Sequence, residues 1–147
     1  MVNSRNGFTL IELLVVLAIM AALLMIATPP IISILPQMKA ASGAREVAAA
    51  LREARSRAIL ANSEAVFSLD VKRKLYMVTG DKGSRLLPPD VGLSLYTAQQ
   101  ELVEETVGSI RFFPDGSSTG GRVVLSNQKH SYNITVNWVT GDVEIAE

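Results

Sequence analysis

One carboxylate stands out because of where it lies. Glu12 is the single charged side chain in the run Phe8–Ala27, FTLIELLVVLAIMAALLMIA. A carboxylate well inside a membrane helix costs on the order of 2.5–3.5 kcal/mol even on lenient insertion scales. Two arrangements lower that cost. The glutamate can sit in the first helical turn, where the helix dipole favours an anion, or it can meet a cation supplied by another chain. Spacing alone does not choose between them. Elsewhere, chemistry-bearing residues are sparse. His130 is the single histidine and falls in a polar Gln-Lys-His-Ser stretch, which reads as surface. Asp81, Asp90, Asp115 and Asp142 each adjoin a glycine or proline, where aspartate commonly forms turns. No D-x-D-x-D-G calcium spacing occurs, and Gly120-Gly121 lacks the lysine and hydroxyl of a phosphate loop. There is no cysteine, which excludes thiol nucleophiles, thiolate metal sites and a disulfide framework. The expectation is no catalytic residue, no cofactor and no metal: a protein that is not an enzyme.

The elements that must carry these residues follow from patterning. With 147 residues the chain has room for one domain and an appendage. Its 14 basic and 14 acidic side chains cancel, which disfavours general nucleic-acid binding, but they are unevenly placed. Before Lys39 the charged residues are Arg5 and Glu12 alone. Lys39–Arg57 carries five basic and two acidic residues, and from Ala58 onward eight basic face eleven acidic. The sequence therefore reads as a greasy start, a basic stem and a mildly acidic body. The run of about 20 apolar residues matches the ~30 Å hydrocarbon core at about 1.5 Å per residue. It is longer than a signal-peptide core and lacks an A-x-A-like exit, so a retained membrane helix is expected. Pro29, Pro30 and Pro36 should break or bend the helix. Beyond them Val47, Leu51, Ala54 and Ala58 recur on one helical face. Arg45, Glu46, Arg52, Glu53, Arg55 and Arg57 fall on the far side, read as a solvated face, with Glu53–Arg57 an i,i+4 pair. Gly43 reads as a flexible or merely tolerated position.

The run Gly7-Phe8-Thr9-Leu10-Ile11-Glu12, after a short polar leader with Arg5 and before an unbroken apolar stretch, resembles the type III signal of type IV prepilins and pseudopilins. The resemblance implies cleavage after Gly7 by the prepilin peptidase, N-methylation of Phe8, and a Glu12 that attracts the terminal amine of a neighbouring subunit. It also places the leader in the cytoplasm, the helix in the inner membrane and the body in the periplasm. The implied organisation is a cleaved leader at 1–7, a transmembrane helix at 8–28, a periplasmic helical stem at 29–62 and a β-rich body at 63–147.

In the body, alternation and turn residues predict strands at 65–71, 75–79, 91–97, 110–113, 122–126, 132–139 and 143–145. Gly80-Asp81-Lys82-Gly83 is expected as an exposed loop and Gln99–Thr106 as a polar surface loop. The fold class is α+β: a long N-terminal helix packed on an antiparallel sheet. Phe112-Phe113-Pro114-Asp115-Gly116, followed by Gly120-Gly121 and a closing Trp138-Val139-Thr140-Gly141, is similar to the pattern of H-type minor pseudopilins and FimT-like minor pilins. The structural turn residues are thus Phe113, Pro114, Gly116, Gly120 and Gly121. The resemblance implies a subunit near the tip of the periplasmic pseudopilus of the type II secretion system, which drives folded proteins across the outer membrane. Its implied partners are other pseudopilins, the prepilin peptidase, the inner-membrane assembly platform and secreted substrates. The alternative is a FimT-like pilin involved in pilus assembly or DNA uptake. The acidic end Gly141–Glu147 would repel phosphates, and Arg122 and Lys129 are too few to offset it.

Overall fold

The computed structural model describes residues 9–27, 31–97, 102–104, 106–127 and 129–147. Gly7 and Phe8, and the Pro29-Pro30 pair, lie outside them. The chain divides between Leu35 and Pro36 into two units.

The first unit holds α1 (Leu10–Ala27). Thr9 caps it: its carbonyl and its Oγ1 accept the Glu12 N–H at 3.1 and 3.4 Å. Thr9-Leu10-Ile11-Glu12 thus has the T-x-x-E spacing that starts helices, and Glu12 stands in the first turn. Leu13, Leu14, Leu17, Ile19, Met20 and Leu23 are all more than half exposed, so the helix is apolar all round rather than amphipathic. Among the described residues no helix is long and apolar enough to cross a membrane. The 18 residues of α1 reach about 27 Å, slightly less than the ~30 Å core.

In the second unit, α2 (Ile31–Ala61) contributes its residues from Pro36 onward. Helical backbone continues through Pro36, so this proline does not end the helix as a breaker would. Alanine, the best helix former, dominates the segment, and Asn62 closes it at φ +48°. The predicted face is buried as expected: Val47, Leu51, Ala54 and Ala58 are 0% exposed. Gly43 is neither a hinge nor an idle position. A Cβ there would lie 3.0 Å from Leu125 Cδ2 and 3.5 Å from Pro88 Cδ, so its missing side chain brings the helix close to the sheet.

Two antiparallel sheets, not the single one expected, cover that face. The first has the order β3-β2-β1-β6-β5 and the second β4-β7-β8-β9. Their strands are β1 (Ala65–Asp70), β2 (Leu75–Val78), β3 (Arg85–Leu86), β4 (Gly92–Tyr96), β5 (Leu102–Glu104), β6 (Val107–Phe112), β7 (Gly121–Ser126), β8 (Ser131–Val136) and β9 (Val143–Ala146). The chain changes sheet three times, after β3, after β4 and at Phe113–Gly120, where an isolated Phe112↔Ser118 bridge lies. Phe67, Leu69, Tyr76, Val78, Ile110 and Phe112 from the first sheet join Val123, Leu125 and Ile134 from the second in one core under the helix.

Three more boundaries differ from expectation. Part of the expected 99–106 loop is β5, which pairs with β6 through an irregular register. β3 is only two residues long, too short for its pattern to show in the sequence. β8 stops at Val136 because Asn137 turns the chain: its Oδ1 accepts the N–H groups of Val139 and Thr140 at 2.8 and 3.2 Å.

Gly43→Val should therefore destabilise the body by about 1–3 kcal/mol through overpacking against Leu125. Urea unfolding of the variant checks this; a flexible-joint glycine would instead tolerate the change.

Candidate functional site

The sequence motifs converge on a cluster of turns gathered by α2. In Phe113–Ser117, Pro114 fixes φ and Gly116 takes φ +87°. The Gly116 N–H donates to the Phe113 carbonyl and the Phe113 N–H to the Ser117 carbonyl, both at 2.9 Å. Asp115 Oδ1 accepts from Ser117 Oγ at 2.6 Å and Ser117 N–H at 2.9 Å. The Ser117 hydroxyl, followed by its amide, holds the Asp115 carboxyl below its ordinary range. Next, the Ser118 N–H donates to the Trp138 carbonyl at 3.0 Å, and Ser118 Oγ donates to the Asn137 carbonyl and accepts from Gly120 N–H. The turn before β7 and the turn after β8 are thereby stitched together.

Their closest approach is at Gly141. A Cβ on this residue would fall 2.1 Å from the Gly116 carbonyl oxygen, so no other residue fits without moving backbone. Arg55 of α2 closes the knot: Nε donates to the Gly116 carbonyl (3.2 Å), Nη2 to the Thr140 carbonyl (2.7 Å), and Nη1 lies 3.3 Å from Asp142. Arg52 Nη2 donates to the Val143 carbonyl at 2.8 Å.

A second cluster secures the first sheet. Arg57 Nη1 donates to the Thr79 carbonyl (2.6 Å), while Nη2 reaches Glu53 (2.5 Å) and Asp81 (2.7 Å). Arg85 bridges Glu53 and Asp81 at 3.2 and 3.3 Å. The Asp81 side chain is only 8% exposed. The loop Gly80–Gly83 is thus anchored at Asp81, against the expectation of a simple exposed loop. The Arg57 hydrogen bond is the main cause that lowers the Asp81 carboxyl, and burial opposes it. Beside this cluster the Tyr76 hydroxyl donates to Glu46 Oε1 at 2.8 Å. Burial first, then that bond, pushes the tyrosine up to about 12.

Arg52, Arg55 and Arg57 are therefore not merely a solvated face, whereas Arg45 stays exposed. Sequence reasoning found the Glu53–Arg57 pair but missed the carbonyl acceptors, because backbone acceptors leave no mark in residue type. Gly120 and Gly121 stand where β7 begins; a Cβ on Gly120 would meet Trp138 Cβ at 3.0 Å, and on Gly121 Ile110 Cδ1 at 2.9 Å. His130 Nδ1 lies 3.0 Å from Glu147 Oε1. Among the described residues no group of three or more His, Cys, Asp or Glu side chains could hold a metal ion. The arrangement joins loops.

Residues 43–141 match the family described as type II transport protein GspH, a span that includes the arginines of both clusters and the glycine knot. The chain belongs to the GspH family. Residues 2–28 of this GspH-family chain match the prokaryotic N-terminal methylation motif. It is 30% identical over 138 residues to the type II secretion system protein H of Xanthomonas campestris pv. campestris, covering 94% of this chain and 81% of that one. Its fold is similar to that of the minor pseudopilin EpsH from the type 2 secretion system of Vibrio cholerae. The TM-score is 0.58 at 15% identity, over 74% of this chain and 96% of that one. It is also similar to the type IV minor pilin FimU of Pseudomonas aeruginosa, with TM-score 0.59 at 11% identity over 76% and 90% of the two chains. An α+β pilin-like fold is thereby established for the GspH-family body.

Two outcomes test the clusters. Arg55→Met strips donors from the Gly116 and Thr140 carbonyls and should cost about 1–3 kcal/mol; Gly141→Ala should cost about 3 kcal/mol through its left-handed strain. Denaturant unfolding measures both. Because the Asp81 carboxyl is lowered in the folded state, its contribution is complete above the unfolded value of about 4 and lost as pH falls below it. Asp81→Asn should therefore flatten the acid limb of the stability–pH curve without altering its neutral-to-alkaline part.

Proposed function

We propose that this chain is a minor pseudopilin of the type II secretion system, a structural subunit near the tip of the periplasmic pseudopilus. The observation that carries this reading is the pairing, in one chain, of an N-terminal methylation motif over residues 2–28 with the GspH match over residues 43–141. The prepilin peptidase removes residues 1–7 after Gly7 and methylates Phe8. Residues 8–28 then remain as a single inner-membrane helix, residues 29–62 form the stem and residues 63–147 the periplasmic body. Glu12, in the first turn of α1, receives the terminal amine of an adjacent subunit as the filament grows, which offsets the cost of a carboxylate in an apolar run.

The mechanism needs no reactive group. Apolar helices bundle at the filament axis, the assembly platform adds subunits, and the bodies offer their outer surfaces to other pseudopilins and to exported proteins. Rigidity is what the arginine clusters contribute: a surface whose loops are tied to the stem transmits displacement of the stem instead of absorbing it. A role in DNA uptake fits the charge distribution less well. Glu144 and Glu147 are exposed at the C-terminal end, where phosphates would be repelled.

N-terminal sequencing of the chain from membranes should begin at methylated Phe8. Gly7→Arg should abolish that start, leave the full-length precursor in the inner membrane and stop export. A mature chain beginning beyond residue 28 would overturn the proposal.

A further inference from the structure

The outer face of the second sheet carries a row that none of these roles uses. Tyr96 on β4 pairs with Arg122 on β7, Arg122 with Thr135 on β8, and Thr135 with Glu144 on β9. Trp138 follows two residues after β8. Tyr96, Arg122 and Trp138 line one open trough of about 620 Å³ with Gly120 and Gly121. The exposures here run against the rest of the body. Tyr76, Phe67 and Phe112 are at most 1% exposed, whereas Tyr96 is 63% and Trp138 71% exposed. Arg122 also differs from Arg52, Arg55 and Arg57, since it has no carboxylate or carbonyl partner among the described residues. Tyrosine, tryptophan and arginine are the residues in which protein–protein binding energy concentrates.

Resting on the reading of this chain as a filament subunit, we infer that the Tyr96–Arg122–Trp138 trough docks a segment of the adjacent pilin-like subunit that presents an apolar side chain beside a carboxylate. The apolar group lies between the two aromatic walls and the carboxylate takes the planar fork of Arg122. The glycine pair places bare backbone between the walls, so the partner chain can approach closely. Charge argues for this occupant. One guanidinium without a partner among the described residues, with Glu144 two strands away, matches a single carboxylate and not a phosphate backbone, which requires several cations. The trough is open along its length, unlike the enclosing clefts that bury most of a small ligand.

The test places the photocrosslinker p-benzoylphenylalanine at Trp138 in the full-length chain, in cells carrying the complete secretion apparatus. The side chain is exposed, so the replacement leaves the core intact. Illumination should give one dominant adduct with another pilin-like subunit, mapping beside an aspartate or glutamate. Arg122→Glu should lower its yield about tenfold, and changing the mapped carboxylate to lysine in that background should restore it. No protein adduct, an adduct with lipid or DNA, a yield insensitive to Arg122→Glu, or the same adduct from a probe at exposed Lys82 would overturn the proposal. Phe8 methylation, read in the same sample, separates the two failures. A processed chain without the adduct overturns the trough alone, whereas an unprocessed chain overturns the pseudopilin reading as well.

Discussion

The body depends on one constraint: a helix face made of residues no larger than leucine lies against two sheets, and the charged residues beside that face must be satisfied within the same narrow gap. Alanines at positions 40, 44, 48, 50, 54 and 58 and the bare Gly43 bring the helix near enough for Arg52, Arg55 and Arg57 to reach backbone carbonyls on the far loops. A larger residue on this face would push those guanidinia out of hydrogen-bond range. Close packing and loop capture are thus a single design. The first supplies apolar burial, and the second supplies direction, because a planar guanidinium accepts only certain placements of its acceptors.

The two arginine clusters differ in what they answer to. Arg55 and Arg52 act mainly on neutral carbonyls, whose hydrogen bonds persist at any pH that leaves the fold intact. Arg57 and Arg85 act on Glu53 and Asp81, so that attachment weakens when the carboxylates are protonated. The division is one of emphasis, since Arg55 also pairs with Asp142 and Arg57 also donates to the Thr79 carbonyl.

Much of this was legible from residue types. The buried helix face, the strands near 65–70, 121–126 and 143–146, and the Pro-Gly turn all follow from periodicity and backbone chemistry that single residues carry. What escaped depended on partners distant in sequence. The division into two sheets is decided by which ladder each strand joins, β4 with β7–β9 and β5 and β6 with β1–β3, and alternation does not encode that choice. The role of the arginines rests on carbonyls 22 to 91 residues away, and a carbonyl looks the same behind every side chain. Asp81 read as a turn former because its glycine neighbour was visible and its two guanidinium partners were not. The aromatic trough escaped for a related reason: Tyr96, Arg122 and Trp138 become neighbours only through strand register.

The acceptor of Arg52 is the carbonyl of Val143, 91 residues further along the chain. During synthesis the helix is complete long before that carbonyl exists. Contacts of such sequence separation form late and slow the closing step of folding. The body therefore cannot finish assembling until β9 has been made. A polypeptide lacking β9 would leave one edge of the second sheet unfastened and open to proteolysis.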